Sequence, residues 1–144
     1  MSDTYIVDGR PFVAEIAELL GAVFVASEVE DALGRGRTWR VCVNADGDVL
    51  GFIAWERCGE YLWWDLKWIA VDGDAHGQGI GRRLVDRLKA EVVRHDGKGI
   101  RVETPEDSAA RAFYERCGFE LAAIVPDFYE PDRGLALYTW YYDG

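Results

Sequence analysis

Glycines at alternate positions, Gly77, Gly79 and Gly81 in the run His76-Gly77-Gln78-Gly79-Ile80-Gly81, are the spacing in this 144-residue chain that most directly implies chemistry. Alternating glycines leave successive backbone N–H groups unobstructed, and a helix opening there adds roughly half a positive charge at its N-terminus. Such a cradle suits a phosphorylated ligand. A nucleoside triphosphate loop would end in Gly-Lys-Ser/Thr, whereas Arg82 and Arg83 follow Gly81. The dinucleotide fingerprint would require a third glycine where Arg82 stands. Neither loop fits.

The elements that must hold this cradle are legible on both sides of it. Trp68-Ile69-Ala70-Val71 reads as a strand, and Ile80, Leu84, Leu88 and Val92 form the apolar stripe of a helix. The pattern Arg/Gln-Gly-x-Gly-x-Gly/Ala after a strand ending in valine resembles the acetyl-coenzyme A loop of the GNAT superfamily of N-acetyltransferases, with His76 in place of the usual Arg or Gln. Residues 103–119, ETPEDSAARAFYERCGF, resemble that superfamily's second signature, with Ala110, Phe113, Tyr114, Gly118 and Phe119 matching and Asp107 at the Asn position. The stretch IVPDFYEPDRGLALY is similar to the ending of some members. The likeness covers most of the chain and is specific from Asp65 onward.

The resemblance implies an N-acetyltransferase that moves an acetyl group from acetyl-CoA to a primary amine of a small molecule or peptide, by direct attack in a ternary complex. It implies that the amides of Gly77, Gln78, Gly79, Ile80 and Gly81, with the side chains of Gln78 and Arg82, hold the cofactor's pyrophosphate, that His76 stands at the mouth of that loop, and that Asp107 is a further cofactor-binding position. The pantetheine arm would lie along Ile69, Ala70 and Val71, the Val71 N–H polarising the thioester carbonyl. Tyr114 matches the tyrosine that returns a proton to the thiolate; a phenol with an ordinary pKa of about 10 is protonated at neutral pH. Glu103, Asp65 and Asp72 are the carboxylates available as a general base, and each also reads as a solvated or ion-paired group, Asp65 beside Lys67 above all. An imidazole of ordinary pKa, about 6.5, at position 76 gives the expectation that cofactor affinity strengthens as pH falls. Asp107 preserves helix capping but loses the donor of an Asn side chain. The rival function is a catalytically silent module of the same fold that binds and senses acyl-CoA.

Composition bounds these readings. A net charge of −10 with three lysines argues against nucleic acid as a partner and suits a cationic amine. Three widely spaced cysteines, Cys42, Cys58 and Cys117, argue for reduced thiols and no metal site. No apolar run is long enough to span a membrane, and MSDTYIVDGR has no signal-peptide character, so a cytoplasmic protein is expected.

A single domain, residues 1–144, of mixed α/β architecture is expected: a mostly antiparallel sheet with one central parallel pair, flanked by helices. Thr4 to Val7 is a strand, and Pro11 opens a helix carrying Phe12, Ile16, Leu19 and Leu20 that Gly21 ends. Ser27 and Glu30 form a capping box for a short helix through Leu33, near which Phe24, Glu28 and Asp31 are candidate substrate contacts. Trp39–Val43 and Val49–Glu56 make a hairpin, followed by a strand from Tyr61 to Val71 with Asp65, Lys67, Ile69 and Val71 on the face toward a cleft. A helix to His95 crosses over to a parallel strand, Ile100–Thr104. A helix from Ser108 to Cys117 stops at a left-handed Gly118. Strands Glu120–Val125 and Leu135–Tyr142 close the chain, joined by Pro126–Asp132. Trp63, Phe128 and Tyr129 are candidates for lining an acceptor pocket, and the aromatic tail Tyr138–Tyr142 is a candidate homodimer edge.

Overall fold

The structure is a computed structural model that describes residues 4–23, 37–58 and 62–142. Its strands are β1 (Thr4–Asp8), β2 (Thr38–Asn44), β3 (Val49–Cys58), β4 (Trp63–Val71), β5 (Gly99–Pro105), β6 (Glu120–Glu130) and β7 (Arg133–Tyr141), and its helices α1 (Val13–Val23), α2 (Ile80–Arg94) and α3 (Ala110–Arg116). They form a mixed α/β fold with one seven-stranded sheet of order β1-β2-β3-β4-β5-β7-β6. Among the described residues, three pairs, Trp63 with Gly99, Trp64 with Ile100 and Asp65 with Arg101, make up the β4–β5 ladder, and they run parallel. The pairs β1–β2, β2–β3, β5–β7 and β6–β7 are antiparallel. The expected antiparallel sheet with a central parallel pair is therefore present. The capping-box helix and Phe24, Glu28 and Asp31 lie outside the described residues.

Two compact units divide the chain, 1–56 with 67–88 and 57–66 with 89–144. In the first unit, Ile16 and Leu20 sit one helical turn apart on α1 and meet Val41, Val43, Phe52 and Ala70 of the sheet. Phe12, Leu19 and Trp68 pack against the same cluster. Gly21 lies inside α1 and does not end it: a glycine in a helix costs only about 1 kcal/mol, and here it faces open space. Leu84, Val85 and Leu88 of α2 are fully buried, each worth about 2 kcal/mol by the area removed from water.

In the second unit, Trp64, Ile100, Val102, Phe119 and Tyr138 supply buried apolar bulk. Residues 126–130, expected to be a connector, continue β6 to Glu130, so only Pro131 and Asp132 turn the chain. The register slips between Val125 and Glu130, with Asp127 at φ 57°. Pro126 is tolerated because β6 is the last strand of the sheet. The aromatic tail is not an edge: β7 lies between β5 and β6, Tyr138 is fully buried, and Tyr141 is the large exposed side chain of that stretch. Cys42 and Cys117 are buried and Cys58 half-buried, and none is in a disulfide. Among the described residues no helix is long and apolar enough to cross a membrane.

Candidate active site

Among the described residues, the last residues of β4 present one edge of backbone without a strand partner. Asp72 N–H donates to the Leu50 carbonyl of β3 at 2.8 Å, and a Cβ on Gly51 would stand 2.9 Å from the Ala70 carbonyl, so residues 70 and 72 direct their backbone toward β3. Strand alternation then turns the N–H and C=O groups of Ile69 and Val71 the other way. On that side the parallel ladder has already stopped at Asp65. Ile69 and Val71, on the face expected to line a cleft, are half-buried, and Ala70, on the opposite face, is buried.

The loop that follows is built by its own hydrogen bonds. Asp72 accepts from Asp74 N–H through Oδ1 at 3.3 Å, a single 3-10 turn covers Gly73–Ala75, and buried Ala75 anchors it. His76 folds back so that its Nε2 lies 2.9 Å from the Val71 carbonyl. Gly77 and Gly79 have φ of 84° and 74°, the left-handed region that disfavours side chains, and the space above each is open. Ile80, buried, starts α2, and Gly81 lies in its first turn. The amides at this end have no carbonyl within the helix to bond, so they and the macrodipole of a 15-residue helix face the open loop. Gln78 and Arg82 are exposed beside it. Arg83 instead reaches back to the Thr4 hydroxyl and carbonyl. Sequence reasoning missed Gly51, whose lack of a side chain lets β3 approach Ala70 and Val71; a glycine inside a strand pattern was the available signal.

The second unit carries the other candidates. Tyr114 ends up buried in α3, its ring 5.9 Å from that of Phe119 and 6.2 Å from that of Tyr138. A Schellman motif terminates this helix: Phe119 N–H donates to the Tyr114 carbonyl and Gly118 N–H to that of Glu115, each at 3.0 Å, with Gly118 at φ 90°. Burial, with a smaller contribution from Cys117, pushes the Tyr114 phenol far above its ordinary value. Among the described residues its hydroxyl has no hydrogen-bond partner. The neighbouring Tyr138 hydroxyl, in contrast, donates to Glu115 at 2.6 Å and accepts from Arg111 at 3.0 Å.

The carboxylates separate by environment. Asp65 does not pair with Lys67: both its oxygens accept from Arg101, at 2.8 and 3.1 Å, while Lys67 lies 3.7 Å from Glu56. Arg101, which sequence reasoning missed, stands directly opposite Asp65 in the parallel register. Glu103 is exposed two residues further along β5, and its charge, after burial, holds the Tyr129 phenol up. Asp107 does not cap α3. Ser108 accepts from Ala110 N–H at 3.1 Å there, and Asp107 meets Arg133 Nε at 3.3 Å. Arg133 also lies over the Tyr129 ring, which meets Phe128 edge-on.

An open strand edge leading into a left-handed glycine loop and a helix N-terminus, on a mixed sheet with one short parallel pair, defines an acyltransferase type of fold. The chain matches the acetyltransferase (GNAT) domain family over residues 8–121 and belongs to that family. It is 40% identical over 83 residues to the blasticidin-S acetyltransferase of Streptomyces morookaense, an alignment covering 57% of this chain and 56% of that protein. The matched part spans about half the length, or less, of the curated relatives. Among solved structures, a GNAT-family protein of Desulfovibrio desulfuricans superposes with a TM-score of 0.85 at 20% identity, over 96% of this chain and 99% of that one. An aminoglycoside 6′-N-acetyltransferase complexed with coenzyme A superposes with a TM-score of 0.81 at 18% identity, over 95% and 96%. These likenesses establish the fold.

Proposed function

We propose that residues 1–144 act as one acetyltransferase domain that moves an acetyl group from acetyl-CoA to a primary amine by direct attack in a ternary complex. The observation that carries this reading is the Ile69–Val71 edge, without a strand partner among the described residues, running into the Gly77–Gly79 loop: an extended, amide-bearing arm ending in phosphates matches both features. Acetyl-CoA supplies the acetyl group already activated as a thioester. The loop amides from Gly77 to Gly81 would hold its phosphates, with Gln78 and Arg82 adding side-chain contacts, and the Ile69 and Val71 backbone, flanking Ala70, would hold its arm. The Val71 N–H would polarise the carbonyl under attack.

Tyr114 is the proton donor in this reading. Its raised pKa keeps it protonated throughout the working range, so it holds the proton that the departing thiolate needs. Glu103, exposed and without a guanidinium partner among the described residues, serves as base in preference to Asp65, whose two oxygens are both engaged. The acceptor is a small cationic amine. That choice is supported by the net charge of −10 and by the likeness to a relative named for acetylating blasticidin S.

Thermal unfolding with and without acetyl-CoA tests the reading, with ATP as control. Ligand at a hundred times its dissociation constant stabilises by about 2.7 kcal/mol. A rise with acetyl-CoA well beyond ATP, followed by thiol release when amines are added, is expected. No shift at millimolar acetyl-CoA would sink it.

A further inference from the structure

The peptide that joins Val71 to Asp72 is clamped on both sides. Its carbonyl faces His76 Nε2 at 2.9 Å, and its N–H donates to the Leu50 carbonyl of β3 at 2.8 Å. A carbonyl only accepts, so the imidazole must carry its proton on Nε2 and donate. This is the last peptide of β4, a strand terminus where backbone opens most readily. The intervening chain is itself constrained: Ala75 N–H donates to the Asp72 carbonyl at 2.9 Å and His76 N–H to that of Gly73 at 3.3 Å. With Ala75 buried, the turn delivers the exposed imidazole back onto the strand it left.

We propose that His76 is a positioning residue for acetyl-CoA: by donating from Nε2 to the Val71 carbonyl, it holds the end of β4 extended and fixes the phosphate loop to that same point. The proposal rests on the acetyl-CoA reading above. It gives the residue at the mouth of the loop a hydrogen-bonding task in place of an ionic one. The Val71 N–H, on the same edge as the carbonyl that His76 holds, is the group that gains from the tie, because strand geometry at Val71 keeps both aimed outward. Without it, a bound arm and bound phosphates must order strand end and loop together, and that ordering weakens affinity.

The test combines two ligand-free readouts with one binding measurement on the full chain. Ring-nitrogen NMR of the wild type should show the Nε2-protonated tautomer, and amide exchange at Asp72 should quicken about tenfold in His76→Ala. Calorimetric titration with coenzyme A should give a dissociation constant about tenfold weaker in His76→Ala, and within about threefold of wild type in His76→Gln, whose amide can donate at similar reach. An Nδ1-protonated ring, unchanged Asp72 exchange, or a Gln variant as weak as the Ala variant would each overturn the proposal. If the wild type bound no coenzyme A, the acetyl-CoA reading and this role would fall together, whereas the ring tautomer would still report on the His76–Val71 bond.

Discussion

Arg101 grips Asp65 through two nitrogens, Nε at 2.8 Å from Oδ1 and Nη2 at 3.1 Å from Oδ2, across the parallel register of β4 and β5. The carboxylate raises the Arg101 pKa mainly through that hydrogen bonding, so the guanidinium is a permanent cation. Both Asp65 oxygens are taken up by this bidentate, charge-assisted pair, so neither is offered to an incoming amine.

Asp65→Asn should therefore lower stability and leave the pH dependence of kcat/KM in place. The expected loss is about 1–2 kcal/mol, less than for a sealed pair because the Arg101 side chain keeps 40% of its exposure. Glu103→Gln should do the reverse, removing the acidic limb of the pH–rate profile with little change in melting midpoint. Urea unfolding beside a pH series of initial rates separates the two, and a lost acidic limb in the Asp65 variant would exchange their roles.

Tyr114→Phe should lower kcat about 100-fold while coenzyme A affinity changes less than about threefold. The raised phenol pKa also has a consequence for stability. Folded Tyr114 stays protonated where the unfolded chain ionises, so its contribution is complete below the unfolded value of 10.0 and is lost as pH rises above it toward the folded value. Stability measured between pH 9 and 11 should fall more steeply for wild type than for Tyr114→Phe. Equal slopes would contradict the burial of the hydroxyl.

Gly51→Ala would push a methyl group to 2.9 Å from the Ala70 carbonyl and 3.3 Å from Ile80 and from the Val71 Cα. Two of those contacts are backbone, so strand β4 must move. A stability loss of about 1–3 kcal/mol is expected, with weaker coenzyme A binding in the fraction that folds. Differential scanning calorimetry and ligand titration measure both. An unshifted midpoint would show that β3 can give way instead.

Lys89 closes the end of α3 from outside it: its ammonium donates to the Cys117 carbonyl and lies 5.1 Å from the Trp140 ring centroid and 5.9 Å from that of Phe119. Lys89→Met, which keeps the stem, should cost about 1–2 kcal/mol through the lost charge alone. Gly118→Ala should cost about 1–2 kcal/mol independently, through the left-handed φ of 90°. Denaturant melts of both single variants and the double variant would reveal coupling, since both act on the last turn that holds Tyr114.

What the sequence determined by itself was local. The stripe Ile80, Leu84, Leu88 and Val92 is buried as its spacing requires, Gly77 and Gly79 adopt the left-handed backbone that only glycine takes cheaply, and Gly118 closes α3. Each follows from periodicity or from a φ restriction that a few residues impose on themselves. Tertiary structure decided what depends on a partner. Gly21 stays helical, Pro126 and Asp127 stay in β6, and Asp65 turns to Arg101, because packing and strand register set the alternatives against one another. The open edge at Ile69 and Val71 belongs to the same class. Nothing in those two side chains says where the β5 ladder stops; only the register, which ends at Asp65, leaves their amides without a strand partner among the described residues.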